Sequence, residues 1–327
     1  MKTYIRAIAS ISPAPAKVGA PFGVPTVDEP QEQAAATLQA QGPGPLSNRL
    51  KAIEPDYSAY IDAKSIRRMS RIVKMGVAAA FQCLKEGKVA VPDAIITGTA
   101  YGCLGDTEVF LSRLIEQQEE ALSPTAFIQS THNTVGAQIA LMLQCTGYNN
   151  TFVHRGFSFE SALLDAVMLL QEGEAKTVLT GGLDEITDAS HAILQRFGLY
   201  RQPAAGAGVT AATADGEGAI FFLLTSEPSG KDQAVLEGLD TFYKPENVEK
   251  KIDLFLSTHS IERTEIDLVL TSADYKHLCG DYPTASAFGL ATAVGALGGA
   301  ATGKPKRILI HNNYLNIHHS LMLVSAC

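Results

Sequence analysis

The sequence lacks the features that mark membrane-spanning, disulfide-rich and zinc-binding proteins. No stretch approaches the roughly 18 uninterrupted apolar residues of a membrane span, and no long apolar segment follows the N-terminal residues. We therefore expect neither a span nor a signal peptide. The five cysteines are odd in number and form no CxxC pair, which disfavours a disulfide framework or zinc site and is typical of a reducing, cytoplasmic setting.

Positive charge is in the minority. The chain has 26 Lys and Arg against 34 Asp and Glu, which gives a formal net charge of −8. This balance makes nucleic acid and anionic membranes poor partners unless basic residues are concentrated locally. The 327 residues are 46% hydrophobic, which is enough for a large core. We expect a globular protein that binds neither nucleic acid nor membrane.

Strand-like and helix-like segments alternate along the chain. Strand patterns occupy 3–11, 93–99, 151–154, 175–180, 219–225, 234–243, 266–271, 307–312 and 319–325. Helix patterns occupy 64–87, 105–120, 132–146, 157–171, 247–260 and 285–298. Alternation of this kind predicts an α/β layered fold. We expect two similar α/β halves, 1–225 and 226–327, in one compact unit, with a long Pro- and Gly-rich loop at 12–47.

Three segments carry a family resemblance. Residues 67–76 (RRMSRIVKMG) form a basic segment, residues 173–185 contain GEA followed by GGLDE, and residues 215–219 (DGEGA) precede a strand. In this order and spacing they resemble the β-ketoacyl synthases, the condensing enzymes of the thiolase superfamily. The resemblance implies a thiolase-like fold, in which two α/β halves form α-β-α-β-α layers.

The resemblance also implies a catalytic cysteine and two histidines, and this sequence differs at all three positions. Counting back from the double glycine places the cysteine position at Gly156, in a strand-to-helix elbow. Ser272 stands at the first histidine position, and Asp281 stands at the second, five residues after a matching Lys276. Decarboxylative condensation requires a nucleophile and two imidazoles that stabilise the enolate, whose charge an aspartate would repel. We predict a ketosynthase-like protein that lacks the Cys-His-His triad.

Family members without the triad include chain-length factors, which pair with an active ketosynthase and shape the pocket for its growing chain. The resemblance therefore implies a non-catalytic subunit that assists polyketide or fatty-acyl chain elongation on acyl carrier protein. We expect a dimer, with an active ketosynthase or with itself. In this dimer the strand at 151–154 would pair across the two-fold axis, with 133–143 nearby.

Two surfaces follow from the same resemblance. Lys64, Arg67 and Arg68 match carrier-protein-binding positions of the family, and carrier proteins are strongly acidic. An ordinary solvated helix face is the alternative for these three residues. Leu315 and Asn316 align with the family's pocket gate near the C-terminus.

Ser158 leaves an enzymatic alternative open. Residues 156–160 (GFSFE) partly match the G-x-S-x-G elbow of serine acyltransferases and hydrolases, although Glu160 replaces the final glycine. In a structural role, Ser158 would form hydrogen bonds at a helix N-terminus. A third possibility is a scaffold protein that has kept only the fold.

The remaining candidate side chains favour packing over chemistry. Cys279 lies two residues from His277 but has no elbow around it, so we expect a buried thiol. His311, His318 and His319 lie near the C-terminus, and adjacent residues of a strand face opposite sides. We therefore expect no metal site and no cofactor, with one histidine packed near the altered catalytic pocket and one pointing away from it.

Overall fold

The computed structural model describes residues 2–14, 48–120, 122, 124–200, 214–298 and 306–327. The predicted loop at 12–47 lies, from residue 15 onward, outside this part of the chain. The strands are β1 (Thr3–Ile11), β2 (Arg49–Leu50), β3 (Ala94–Gly98), β4 (Tyr148–Phe152), β5 (Thr177–Asp184), β6 (Asp215–Gly216), β7 (Gly218–Thr225), β8 (Ala234–Tyr243), β9 (Leu268–Thr271), β10 (Arg307–Tyr314) and β11 (His318–Ser325). The helices are α1 (Ala63–Ile66), α2 (Arg71–Gly87), α3 (Leu104–Glu116), α4 (Pro124–Gln129), α5 (Thr134–Leu143), α6 (Ser158–Glu172), α7 (Asp188–Arg196), α8 (Val248–Thr258), α9 (Ser272–Cys279) and α10 (Ser286–Gly298).

Nine strands form a mixed sheet in the order β4-β3-β5-β7-β1-β8-β11-β10-β9. In the first five, β3 pairs in parallel with β4 and β5, whereas β5–β7 and β7–β1 are antiparallel. The last four repeat this pattern, with β9–β10 parallel and β10–β11 and β11–β8 antiparallel. Within the described residues the second half therefore repeats the first without a counterpart of β4.

The two halves meet where the first three residues of β1 pair with the start of β8. This pairing joins both halves into one continuous sheet while preserving their repeated strand order. The similar α/β halves expected from the resemblance are thus present. The boundary at residue 225 and the single compact unit stay predictions.

Three apolar clusters define the layers. The central cluster combines α6 and α10, through residues such as Phe159 and Leu290, with one face of both half-sheets. The second cluster packs α2 on the outer face of the first half, and the third packs α8 on the outer face of the second half. The order helix, sheet, helix, sheet, helix matches the expected α-β-α-β-α arrangement. No described helix is long and apolar enough to cross a membrane.

Several elements differ from their predicted bounds. The predicted helix at 64–87 is two helices, because the chain leaves helical geometry after Ile66 and restarts at Arg71 behind the N-cap residue Ser70. β5 continues through the double glycine to Asp184, and a Cβ on Gly181 would lie only 2.6 Å from the carbonyl oxygen of Ile220 on β7. Glycine is therefore the residue that permits this close strand approach.

The strand predicted at 151–154 is β4, Tyr148–Phe152, which begins and ends earlier than the pattern indicated. The predicted end, residue 154, lies beyond the strand and directly before the elbow, where Arg155–Phe157 form a 3-10 turn. β4 lies at one end of the sheet and pairs with β3 alone among the described strands.

Candidate functional site

The elbow predicted around Gly156 joins β4 to α6. β4 ends at Phe152, the 3-10 turn follows, and α6 begins at Ser158. Arg155 has a φ of 51°, in the left-handed region that residues other than glycine rarely adopt. The chain therefore turns sharply at this point, and Gly156 is buried inside the turn.

The space beside Gly156 is occupied by two aromatic side chains. A Cβ placed on Gly156 would lie 2.7 Å from Cδ1 of Tyr314 and 3.0 Å from both Cβ and Cγ of His318. Favourable carbon contacts lie at about 3.5–4.0 Å, so any side chain at this position must displace one of these rings. The His318 ring also packs edge-on against Phe157, with centroids 4.7 Å apart. The predicted nucleophile position thus faces packed protein.

Both rings come from the hairpin that connects β10 to β11. Tyr314 and His318 are paired across this hairpin, and the turn between them contains Leu315 and Asn316, with φ of 57° and 55°. The amide of Asn316 donates to Oδ1 of Asn313 at 2.9 Å, which closes the turn. The predicted gate residues Leu315 and Asn316 are therefore exposed at the tip, and the residues on either side of the turn reach the elbow.

Lys276 and Asp281 form a buried ion pair. Their Nζ and Oδ1 atoms are 2.5 Å apart, and the two residues are 4% and 9% exposed. Lys276 also donates to the carbonyl oxygen of Asn313 at 2.8 Å and lies 5.6 Å from the centroid of the Tyr314 ring. The lysine charge is therefore engaged by an internal carboxylate at the predicted second histidine position.

Ser272 lies against the same strand end. Its Oγ accepts a hydrogen bond from the amide of Asn313 at 2.7 Å and lies 3.3 Å from the carbonyl oxygen of that residue. Asn313 also binds Lys276, and its neighbour Tyr314 touches Gly156. The last two residues of β10 consequently connect the predicted triad positions. His318 is the histidine that packs near this site, whereas no sequence pattern singles out Tyr314.

Ser158, the alternative nucleophile, is completely buried at the start of α6. Its Oγ donates to the carbonyl oxygen of Arg155 and accepts from the amide of His154, both at 2.8 Å. The imidazole of His154 instead contacts Ser161, with Nδ1 and Oγ 3.2 Å apart. The Ser158 hydroxyl thus closes the elbow through backbone bonds.

The GGLDE segment, one of the motifs that carried the resemblance, contains two buried carboxylates. Asp184, in the GGLDE segment, accepts from the amide of Ala100 at 2.9 Å and from the hydroxyls of Thr99 and Thr284 at 3.0 and 2.8 Å. Burial raises the pKa of Asp184 to about 6, although these hydrogen bonds favour its charged form. Burial likewise raises the pKa of the adjacent Glu185 to about 7. These groups tie β3, β5 and the start of α10 together.

The basic residues between Lys64 and Arg71 differ in their surroundings: Arg71 is paired with a buried carboxylate, and the other three are exposed. The Arg71 guanidinium donates to both carboxylate oxygens of the buried Glu217, at 2.7 and 2.6 Å, and so joins the basic segment to the DGEGA segment. Lys64, Arg67 and Arg68 are exposed and form no ion pair with any described residue. The three residues predicted to bind carrier protein are therefore accessible.

The C-terminal histidines divide between two environments. His318 faces the elbow, whereas His319 stacks on His311, with Nδ1 and Nε2 3.1 Å apart. Burial lowers the pKa of His311 to about 4, so this pair is neutral at pH 7. No group of three or more His, Cys, Asp or Glu with metal-binding geometry occurs in the described part of the chain.

The family is established by comparison with known proteins. Residues 44–235 match the family described as "Beta-ketoacyl synthase, N-terminal domain", and the chain belongs to this family. It is 27% identical over 144 residues to 3-oxoacyl-[acyl-carrier-protein] synthase 2 of Synechocystis sp. (strain ATCC 27184 / PCC 6803 / Kazusa). The aligned residues cover 42% of this chain and 35% of that protein. The protein of the same description from Staphylococcus aureus (strain N315) is 22% identical over 131 residues, or 38% and 32% of the two chains. The chain thus aligns with about a third of these relatives' length.

Solved structures of ketosynthases share this fold. The ishigamide ketosynthase/chain length factor superposes with a TM-score of 0.75 at 16% identity, covering 100% of this chain and 99% of that one. The type II acyl-carrier protein–ketosynthase complex AntDE:AntF gives 0.76 at 14% identity, with the same coverage. The ketosynthase ApeO with its chain length factor ApeC, from Xenorhabdus doucetiae, gives 0.69 at 15% identity, covering 100% and 98%. These similarities establish a thiolase-like ketosynthase fold.

Proposed function

We propose that the chain is a non-catalytic, ketosynthase-like subunit of the chain-length-factor type. It assists polyketide or fatty-acyl chain elongation on acyl carrier protein and pairs with an active ketosynthase. The observation that carries the proposal is the closed elbow, where Gly156 supplies no nucleophile and Tyr314 and His318 fill the space that a nucleophilic side chain would need.

The second half of the site supports the same proposal. Condensation requires groups that stabilise a developing enolate, and this stabilisation depends on donors that are available to the substrate. At the predicted histidine positions, the Ser272 hydroxyl is bound to the β10 backbone and the Lys276 ammonium is held by Asp281. The hydroxyl and the ammonium are thus already bound within the protein, and neither histidine position carries the imidazole that condensation requires.

The proposed partners follow from the family and from surface charge. Two of the similar solved structures are described as a ketosynthase with a chain length factor, and a third contains an acyl-carrier protein with its ketosynthase. Lys64, Arg67 and Arg68 form an exposed basic group on an otherwise acidic chain. Such a group attracts an acidic carrier protein and steers it toward the complex.

Intact-mass spectrometry tests the proposal directly. The purified chain is incubated with acyl-carrier-protein thioesters, alone and together with candidate ketosynthases. We expect no mass increase on this chain, a stable complex with one ketosynthase, and a change in the product length of that enzyme. Acylation of the isolated chain, or turnover by it, would contradict the proposal, and mapping the modified residue would identify the nucleophile.

The carrier-protein surface has its own test. Charge reversal of Lys64, Arg67 and Arg68 to Glu is expected to weaken carrier-protein binding to the complex by at least about tenfold, because it replaces attraction by repulsion. The matched control reverses three exposed lysines elsewhere, Lys85, Lys231 and Lys250, and so changes the net charge by the same amount. Equal binding by both variants would show that the basic group is an ordinary solvated surface.

A further inference from the structure

A second set of buried polar side chains lies directly behind the closed elbow. Glu160 follows the elbow glycine by four residues, about one helical turn, so both positions face the same side at the start of α6. On β10, Asn312 stands two residues before Tyr314. On β11, Ser320 stands two residues after His318. Because alternate residues of a strand share a face, the three elements that close the elbow meet again here, one step further into the core.

Glu160 joins these three elements through hydrogen bonds. Its Oε1 atom accepts from the hydroxyl of Ser320 at 2.7 Å and from Nδ2 of Asn312 at 3.2 Å. The Asn312 amide is held in this orientation, because its Oδ1 atom accepts from the hydroxyl of Tyr275 at 2.6 Å. Glu160 and Ser320 are completely buried, and Asn312 is 1% exposed. The helix that follows the elbow is therefore bonded to both strands of the hairpin that fills it.

The groups that surround Glu160 carry no positive charge. Tyr275 on α9 is the titratable side chain beside it, and Ser286 on α10 supplies a hydroxyl. None of the ion pairs between described residues includes Glu160, and the ammonium of Lys276 is bound to Asp281. Burial raises the pKa of Glu160 above its usual 4.5, although its hydrogen bonds favour the charged form. These surroundings favour a protonated carboxyl group.

The two oxygens of this carboxyl group are bonded unequally. Oε1 accepts two hydrogen bonds, whereas Oε2 is buried and has no partner in the described part of the chain. The hydroxyl of Ser286 is unpaired there as well. A charged carboxylate spreads its charge over both oxygens and needs partners at each, whereas a protonated one can donate from the second oxygen. The observed pattern therefore fits an acid that keeps its proton on Oε2, beside Ser286.

We propose that Glu160 is a positioning residue that, as an uncharged carboxylic acid, holds the β10–β11 hairpin in the elbow. Closure of the site then depends on a proton kept in the core, because ionisation draws water to the carboxylate and separates α6 from the hairpin. This inference deepens the proposed function and rests on it, since the closed elbow is the observation that carries that function. Tyr314 and His318 fill the elbow, and Glu160 fixes the strands on which they stand.

Hydrogen exchange at the amides of residues 312–320 measures opening of the hairpin in the chain alone. An opening that exposes Glu160 lets it ionise at its usual pKa of 4.5, so its contribution is present at low pH and is lost as pH rises. Between about pH 6 and 8, exchange in wild type relative to Glu160→Gln should accelerate by up to about tenfold per pH unit, because one proton is released. Glu160→Gln keeps an uncharged acceptor and should hold the hairpin closed throughout.

Two further variants separate positioning from general stability. Glu160→Leu removes both hydrogen bonds and should speed exchange at residues 312–320 by at least about tenfold at pH 7. Asp184→Asn is the matched control, because this buried carboxylate bonds to Thr99, Ala100 and Thr284 and not to the hairpin. It should leave exchange at residues 312–320 unchanged relative to the rest of the chain.

Infrared spectroscopy tests the proton itself and needs no destabilised variant. The difference spectrum between wild type and Glu160→Gln at pH 7 should contain the carbonyl band of a protonated carboxylic acid. A band of ionised carboxylate in its place, or a constant ratio of exchange rates across pH, would overturn this inference. Equal acceleration along the whole chain in Glu160→Leu would also overturn it. These measurements involve no ketosynthase or carrier protein, so their failure leaves the proposed function standing, whereas acylation of the wild-type chain rejects that function itself.

Discussion

Restoring the cysteine at Gly156 should destabilise the protein without producing an acyl-enzyme. The new Cβ would lie 2.7 Å from Cδ1 of Tyr314 and 3.0 Å from His318, about 0.5–1 Å inside ordinary contact distance. Overpacking of a filled core costs about 1–3 kcal/mol, so Gly156→Cys should lower the free energy of unfolding by that amount. Gly156 itself has no positive φ, so the expected cost comes from packing and not from backbone strain.

The assay compares thermal midpoints of four variants with wild type. Gly230→Cys is the matched control, because a Cβ at Gly230 meets no atom within 4 Å and its φ is not positive. Each kcal/mol corresponds to about 2–4 °C in a domain of 150–250 residues. Combining Gly156→Cys with Tyr314→Leu should recover part of the loss. Together with Tyr314→Leu alone, this double variant should give a coupling of about 0.5–3 kcal/mol. If Gly156→Cys is as stable as the control and takes up an acyl group, the elbow is open and our account of the site is wrong.

Three further variants test the groups around the elbow. Lys276→Met should destabilise the chain by about 3–5 kcal/mol, because the buried Asp281 carboxylate loses its partner, and urea unfolding should show recovery when Asp281→Leu is added. Ser158→Ala should cost about 1–3 kcal/mol by leaving backbone groups of the elbow unpaired, and a complex whose product formation depends on Ser158 would contradict a structural role. Glu185 has a raised pKa of about 7, so its contribution to stability is present at low pH and is lost as pH rises through 7. Glu185→Gln should therefore gain stability relative to wild type as pH rises from 4.5 to about 7 in chemical denaturation, with little further change above that, and a pH-independent difference would refute the assignment.

The order of elements was readable from the sequence because most of them have a clear local pattern. β1 and β8 have the predicted bounds, Thr3–Ile11 and Ala234–Tyr243, and α10 differs by one residue. The break after Ile66 was not predicted, because the run of helix-forming residues continues across it. The helix that begins at Arg71 brings this side chain to Glu217, which lies 146 residues away in the sequence, and no local pattern indicates that contact.

Motif spacing indicates which residues belong to the candidate site, but it does not indicate which side chains fill the space around them. The motif spacing located Gly156, Lys276 and Asp281, and the fold brings these positions together around the end of β10. The closure of the elbow depends on Tyr314 and His318, and their inward orientation is set by the register of the β10–β11 hairpin. The resemblance indicates the whole turn from Tyr314 to His319, but no local pattern reveals which of its residues lie on the buried side.

Among the described strands the second half has no counterpart of β4, and this difference affects how far the sheet can grow by strand addition. One end of the sheet is β4, five residues long and without charge, and the other is β9, four residues long and followed directly by α9. Two similar open edges on one molecule would allow head-to-tail addition without limit, which is the geometry of a filament. A short strand that runs straight into a helix is a poor template for pairing. The unequal ends therefore favour an assembly that closes once the β4 edge is covered.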